Sequence, residues 1–141
     1  MAELDSPAEA GLVAQWRELL ARHAETSCAL DRELGEKHGL GMSEFEVLER
    51  LVEGCSVDRS HRLRVQELAD VVHLSQSALS RLIGRLEKAG LVTREMCVDD
   101  RRGILIVLTD EGRERYRQAR PLHRDVLARK LGGEVTGPCE A

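Results

Sequence analysis

The chain of 141 residues has few aromatic side chains: one Trp, one Tyr and one Phe. Its core must therefore be filled mainly by Leu, Val, Ile and Ala. No segment approaches the roughly 20 consecutive apolar residues that a membrane-spanning helix needs. Residues 1–11 contain Glu3, Asp5 and Glu9 and no apolar run. We therefore expect a cytoplasmic protein without a signal peptide or a membrane association.

Sequence signatures of catalysis and of metal binding are missing as well. We find no nucleophile elbow, phosphate-binding loop or paired-carboxylate motif, and we predict no enzyme and no cofactor. The cysteines form no CxxC pair and the histidines no close cluster, so no spacing demands a metal ion. In a reducing compartment we expect free thiols, with a redox sensor or a metal site as the alternatives. The four cysteines are Cys28, Cys55, Cys97 and Cys139.

The formal net charge of −4 conceals an uneven distribution. Residues 1–59 carry 6 basic and 13 acidic side chains, residues 60–124 carry 13 and 9, and residues 125–141 carry 2 and 3. A local basic excess in an acidic chain is typical of a segment that binds nucleic acid. Because this excess is small, we expect affinity to depend on a few well-placed arginines.

Residues 8–38 predict one long helix. Apolar side chains recur at steps of three and four between Leu12 and Leu34, which places them on a single stripe. Gly39 is well suited to end the helix in the left-handed conformation. A helix of about 30 residues is long for a domain of this size. We therefore expect part of the stripe to pack against a second subunit.

The remaining elements follow from capping signals and periodicity. Ser43 and Glu46 predict a capping box at the start of a second helix, 43–51, and the polar residues 54–61 predict a loop. Beyond that loop the pattern predicts a short strand, two helices around a tight turn, two strands, a last helix that Thr109 caps, and a tail. Their predicted bounds are 62–64, 65–72, 76–89, 91–94, 104–108, 110–131 and 132–141.

The helix predicted over 76–89 has the two faces that a DNA recognition helix needs. One face carries an apolar stripe, and the opposite face is polar and basic. The major groove of B-DNA accepts one α-helix, whose N-terminal end usually meets the bases. We predict that the first residues contact base edges or nearby phosphates and that the last two clamp phosphates; the alternative is a solvated helix face. The predicted contacts, with one from the preceding strand, are Arg64, Ser75, Gln76, Ser77, Ser80, Arg81, Arg85 and Lys88.

Residues 99–103 are predicted to form the tip of a hairpin beside this helix. Arg101 and Arg102 cannot both be buried at such a tip, whereas a guanidinium group suits the negative potential of a narrow minor groove. Asp100 can hold Arg102 in an extended pose through a charge-assisted hydrogen bond. We therefore predict that Asp100, Arg101 and Arg102 complete the DNA contacts. Helix, turn, helix and hairpin in this order indicate a winged helix-turn-helix over 62–108.

These residues resemble the MarR family of transcriptional regulators over about residues 8–131. The resemblance rests on Leu68-Ala69, Ser75, Arg81-Leu82, the run from Leu86 to Val92, Asp100-x-Arg102 and Leu108-Thr109-x-x-Gly112, with Gly39-Leu40 and Phe45-x-Val47-Leu48 before them. It implies a mostly helical α+β fold in a single domain, 1–141. It also implies a homodimer in which the helices 8–38 and 110–131 make the contacts.

The resemblance further implies a function and its control. Family members usually repress transcription by binding a pseudo-palindromic operator in double-stranded DNA. Many release it when a small phenolic or other lipophilic ligand binds between the dimer helices and the DNA-binding lobe, and others respond to thiol oxidation or to zinc. The ligand candidates here are Trp16, His23, His38, Phe45 and Tyr116, and the redox candidate is Cys28. A winged-helix module that binds a protein partner is the alternative from another class.

Overall fold

The computed structural model describes residues 6–58, 62–96 and 103–132, with the backbone alone for residues 55–58. The elements in chain order are α1 (Pro7–His38), α2 (Met42–Asp58), β1 (Arg62–Arg64), α3 (Val65–Val72), α4 (Gln76–Lys88), β2 (Val92–Met96), β3 (Ile104–Leu108) and α5 (Asp110–Leu131). The mostly helical α+β fold with long helices at both ends is as predicted from the sequence. None of the described helices is long and apolar enough to cross a membrane.

The ends of α1 follow from local chemistry. The Ser6 hydroxyl accepts a hydrogen bond from the Glu9 amide, and the Glu9 carboxylate accepts one from the Ser6 amide, which is a capping box. Gly39 ends the helix with φ 66°, in the left-handed region that favours glycine. The Leu40 amide then donates to the Leu34 carbonyl oxygen, so the end predicted from Gly39 is confirmed.

The predicted bounds of α2 were wrong at both ends. The helix begins at Met42, and the Met42 amide donates to a carboxylate oxygen of Asp31 on α1, at 2.7 Å, so Ser43 is not the cap. The helix also continues to Asp58, where a loop was expected from Gly54 onward. A methyl group at Gly54 would lie 3.3 Å from Cδ2 of Leu63 on β1, closer than an ordinary van der Waals contact, so this glycine allows the strand to approach the helix closely.

The three strands of the described residues form one antiparallel sheet in the order β1-β3-β2. In β1, Leu63 is paired with Ile106 of β3. In β2, Met96 is paired with Ile104 of β3, so these two residues stand at the end of the described hairpin. The sheet joins the start of α3 to the hairpin that follows α4. The sequence predicted the strands but not that β1 would pair with β3.

A network of polar contacts fixes the junction between α4, the sheet and α5. The Thr109 hydroxyl accepts from the Gly112 amide at 3.0 Å, which caps α5, and donates to the Gly90 carbonyl oxygen at 2.7 Å. The Thr109 amide donates to the Leu91 carbonyl oxygen. A side chain at Gly112 would collide with the Leu91 backbone. This geometry explains why threonine and glycine occur at these two positions.

The core lies where α2, α3, α4 and the sheet meet α5 and the second half of α1. All the buried residues of α1 lie beyond residue 25, since no residue from 7 to 25 is buried. Leu12, Trp16 and Leu19 are 66, 60 and 62% exposed, so in the single chain the first half of the stripe lacks the cover that the second half has. The largest fully buried side chains are Phe45, Leu34, Leu40, Leu48, Leu51, Leu68, Leu79, Ile83, Leu86, Leu91, Ile106 and Val47.

Candidate nucleic-acid interface

The turn between α3 and α4 adopts the geometry that a helix-turn-helix requires. His73 ends α3 in the left-handed conformation, at φ 58°. The Ser75 hydroxyl then accepts a hydrogen bond from the Ala78 amide at 3.2 Å and caps α4. Both the turn and the cap are as predicted from the sequence. The short turn makes the orientation of α4 relative to α3 well defined.

The apolar stripe of α4 docks the helix on its own domain. Leu79, Leu82, Ile83 and Leu86 are all buried. Full burial of each such side chain contributes roughly 1.5–3 kcal/mol, so the stripe anchors α4 firmly. The opposite face therefore has a fixed orientation and can present its polar groups without reorganisation.

The exposed face of α4 carries the residues that were predicted to touch DNA. Ser77, Arg81 and Lys88 lie on its centre line, opposite the buried stripe, and Gly84 between them has open space beside it. Arg64, at the N-terminus of α3, is also exposed. The other predicted contacts on or before α4, all exposed, are Ser75, Gln76, Ser80 and Arg85. Asp100, Arg101 and Arg102 lie outside the described residues.

The cations of this surface differ in their partners. Among the described residues, neither Arg81 nor Lys88 has an ion-pair partner. By contrast, Nε of Arg85 lies 3.8 Å from a carboxylate oxygen of Glu44 on α2. Arg85 thus lies on the flank of α4 that faces α2.

Sequence reasoning missed Arg94, which contacts α4, and Arg62, which pairs with the same strand. Arg94 of β2 donates to the Ser80 carbonyl oxygen at 3.4 Å, and its Nε lies 3.6 Å from Glu87. Arg62 of β1 pairs with Glu95 of β2 at 3.6 Å. Arg62 begins a strand of three residues and Arg94 stands between Thr93 and Glu95, and neither sequence setting indicates proximity to α4.

A partly buried polar cluster joins α5 to α2. Arg124 donates to both carboxylate oxygens of Glu49 at 3.0 Å, and to Nδ1 of His123 at 2.6 Å. The His123 ring stacks on Phe45 with centroids 4.2 Å apart. Burial first, and the Arg124 charge second, lower the pKa of His123 to about 4, while Glu49 acts in the opposite direction. The imidazole is therefore neutral, and Nδ1 is free to accept from Arg124.

Burial and the proximity of Glu49 raise the pKa of Tyr116, which completes this cluster on the α5 side. Its ring centroid lies 5.3 Å from that of Phe45. The hydroxyl therefore stays protonated at neutral pH. The cluster couples α5 to α2, the helix that packs against α4.

The five ligand candidates do not share one environment. Phe45 is fully buried and Tyr116 is half-buried, and both belong to the core cluster. Trp16 and His23 lie on the exposed half of α1, where His23 bonds to Ser27 of its own helix at 3.3 Å. His38 is half-buried at the end of α1, and its carbonyl oxygen accepts from Arg115. No ligand site for the five together is evident in the described part of the chain.

Cys28 is exposed on α1, beside a shallow groove of about 380 Å³ to which Arg32 and Lys130 also contribute. Cys55, Cys97 and Cys139 lie outside the described side chains. In the described residues no three His, Cys, Asp or Glu side chains are grouped so as to hold a metal ion. The redox role of Cys28 stays a prediction.

The model of the MarR family matches residues 40–104, which contain α2, the helix-turn-helix and the start of β3. Among solved structures, the chain is similar to AbsC of Streptomyces coelicolor, a MarR family transcriptional regulator (33% identity, TM-score 0.78, 92% of this chain and 82% of that one). It is also similar to Sco3205 of the same organism, solved in complex with DNA (34% identity, TM-score 0.80, 96% and 81%).

A curated relative is the HTH-type transcriptional repressor MdtR of Bacillus subtilis (strain 168), 30% identical over 96 residues, which are 68% of this chain and 58% of MdtR. The matched segment thus spans little more than half of that relative's length. These relatives are regulators, in agreement with the expectation that the chain is not an enzyme. The exposed polar face of α4, the capped turn before it and the likeness over nearly the whole chain lead to one conclusion: this protein belongs to the MarR family.

Proposed function

We propose that the chain is a homodimeric repressor of transcription that binds a specific operator in double-stranded DNA and is released by a small molecule. The observation that carries the proposal is the face of α4 opposite its buried stripe, where Arg81 and Lys88 stand exposed and without ion-pair partners among the described residues. Cations left unpaired on a rigid helix are available to an anionic partner. Sco3205, a similar protein solved with DNA, supports this partner.

In this proposal each part of α4 has its own role. Gln76, Ser77, Ser80 and Arg81 meet base edges or adjacent phosphates, because the N-terminal part of a recognition helix enters the groove. Arg81 is suited to bidentate contact with guanine O6 and N7. Lys88, a point charge near the C-terminus, neutralises a phosphate. The other proposed phosphate contacts are Arg64, Ser75 and Arg85, and the wing residues Asp100, Arg101 and Arg102 reach the minor groove.

The exposed stripe on α1 supports the proposed dimer. Leu12, Trp16 and Leu19 are more than half exposed along one side of a regular helix, and a contiguous apolar surface of this kind marks an interface. A second copy of the chain offers the same surface, as a two-fold axis requires. Two α4 helices held by this contact would read half-sites about 34–36 Å apart, one turn of B-DNA.

The repressor role in the proposal rests on the relatives, and release by a ligand is what the family resemblance implies. MdtR is described as a repressor, and so is YetL of Bacillus subtilis (strain 168), which is 33% identical over 85 residues. We propose a small lipophilic or phenolic ligand as the releasing signal. A ligand that separates α5 from α2 would disturb the position of α2, which packs against α4. We therefore propose that such a signal acts at the cluster of Arg124 and Glu49.

The proposal is tested by selecting duplexes from a random-sequence pool with the purified protein and measuring binding by band shift. A pseudo-palindrome with half-sites one turn apart should be enriched. Arg81→Ala should relax preference at one base pair of each half-site, by about 1–3 kcal/mol. Lys88→Ala should weaken all duplexes alike and reduce the slope of log K against log salt by about 0.9 per protomer.

Arg117→Ala is the control, because Arg117 is an exposed arginine on α5 that pairs with Glu114 of its own helix. Enrichment of no sequence, with equal affinity for every duplex, would show that the protein is not a sequence-specific regulator. In that case an interaction with a protein partner becomes the better reading of the winged helix.

A further inference from the structure

The arginines beside α4 fall into two classes according to their position. Arg81 on the centre line of the exposed face has no ion-pair partner among the described residues. Arg85 and Arg94, one on each flank of the same helix, are both paired with a glutamate. The flanking cations are therefore screened in the free protein, while the central one is not.

On the flank that faces α2, Glu44 reaches Arg85 at 3.8 Å. The Glu44 side chain is only 22% exposed and lies in the first turn of α2, where the helix dipole favours a carboxylate. The Arg85 side chain is 60% exposed. The acid is therefore held in place, and the arginine is the partner that can move.

On the flank that faces the sheet, Glu87 of α4 lies 3.6 Å from Nε of Arg94. The same guanidinium group donates to the Ser80 carbonyl oxygen, about two helical turns before Glu87. Arg94 is thus braced along α4, between the centre line and the sheet. A DNA phosphate that approaches this flank meets a carboxylate as well as a guanidinium group.

We propose that Glu44 and Glu87 determine specificity by suppressing the binding of non-cognate DNA. Non-specific binding depends on counterion release as cations neutralise phosphates in any register. Here a guanidinium group must leave its carboxylate before it can contribute, and the carboxylate repels a phosphate that is wrongly placed. A duplex that docks correctly gains base contacts from Arg81 and its neighbours, and these compensate for opening the two pairs.

This inference rests on the proposed function, since it presumes that α4 binds DNA. The test compares wild type, Glu44→Gln and Glu87→Gln on two duplexes: one that the wild type selects from a random-sequence pool, and a scrambled version of it. Each substitution should raise affinity for the scrambled duplex about two- to fivefold, the range expected for one exposed ion pair. It should also steepen the salt slope on that duplex by about 0.9 per protomer. Affinity for the selected duplex should rise less, so discrimination falls.

Two controls distinguish the effect of breaking the Arg85–Glu44 and Arg94–Glu87 pairs from the effect of removing one negative charge anywhere on the surface. Glu46→Gln removes a carboxylate that pairs with Arg50 on the same helix as Glu44, and it should leave discrimination unchanged. Glu44→Gln in an Arg85→Ala background should give no further gain on the scrambled duplex. Thermal unfolding of each variant establishes that the fold is retained.

The possible outcomes separate the two ideas. A wild type that prefers no duplex would overturn the proposed function itself. A wild type with a clear preference, and Gln variants that behave like Glu46→Gln, would overturn this inference alone. An equal loss of affinity on both duplexes would also overturn it, because the acids would then be orienting the arginines for binding instead of screening them.

Discussion

The two halves of α1 have the same amphipathic pattern and different surroundings. In residues 26–38, Ala29, Leu30 and Leu34 are buried against the domain. Polar contacts secure this half as well, since Arg129 of α5 donates to both carboxylate oxygens of Glu33 at 2.7 and 2.8 Å. In residues 7–25 no side chain is buried. The comparison teaches that a stripe specifies which side of a helix is covered but not which molecule covers it.

The largest expected effect is on the free energy of unfolding, from a substitution in the buried half of α1, residues 26–38. Leu34→Ala should lower the free energy of unfolding by about 2–5 kcal/mol, because Leu34 is fully buried and its truncation leaves a cavity. Leu19→Ala on the exposed half is the matched variant, and its effect should depend on protein concentration. Urea unfolding monitored by circular dichroism at several concentrations measures both. Equal losses at the lowest concentration would show that the two halves do not differ.

The second effect concerns the exposed half. Leu19→Asp should raise the dissociation constant of the dimer about 100-fold, since a charge would enter an apolar interface from both protomers. Analytical ultracentrifugation over a concentration series gives this constant. Glu18→Gln, a neighbouring exposed position, is the control and should change it little. A wild type that sediments as a monomer at high concentration would contradict the proposed cover for the stripe.

The third and smallest effect concerns His123, in the polar cluster that joins α5 to α2. His123 is 6% exposed with a pKa lowered to about 4, whereas in the unfolded chain it titrates near the ordinary 6.5. Between pH 6.5 and 4 the imidazole is protonated in the unfolded state but not in the native state. The free energy of unfolding therefore falls as pH drops from 6.5 towards 4. The loss should reach about 2 kcal/mol at pH 5, and none of it remains above pH 7.

Urea unfolding of wild type and His123→Phe between pH 4.5 and 7.5 isolates this effect, because the carboxylates titrate in both proteins. The variant keeps an aromatic ring against Phe45, and Arg124 keeps Glu49, so we expect it to fold. A flatter pH profile in the variant is the expected result. The His123 ring followed by NMR should titrate near pH 4, and a midpoint near 6.5 would contradict the buried neutral imidazole.

The sequence predicted best where an element depends on its own residues. Ser75 caps α4 and Thr109 caps α5 as expected, because in each case the hydroxyl oxygen accepts from an amide three residues on. Gly39 ends α1 as expected, because few other residues adopt a positive φ there without strain. The apolar stripe of α4 was correct for the same reason, since its period is a property of the helix.

Prediction failed where a distant residue replaced a local signal. Ser43 looked like the cap of α2, but Asp31 of α1 accepts from the Met42 amide and starts the helix earlier. Gly54 looked like the start of a loop, but Leu63 packs on it and the helix continues. Neither partner can be recognised from the residues around the element that it changes.

The same division holds for the candidate interface. The sequence by itself determined that Ser77, Arg81 and Lys88 lie opposite a buried stripe, because helical period follows from backbone geometry. Only the tertiary structure decided that Glu44, 41 positions earlier, would face Arg85, and that Arg94 of β2 would lie along α4. The sequence gives the charge of each side chain. Whether that side chain has an ion-pair partner depends on how helices and strands pack, because packing brings together residues that are far apart in the chain.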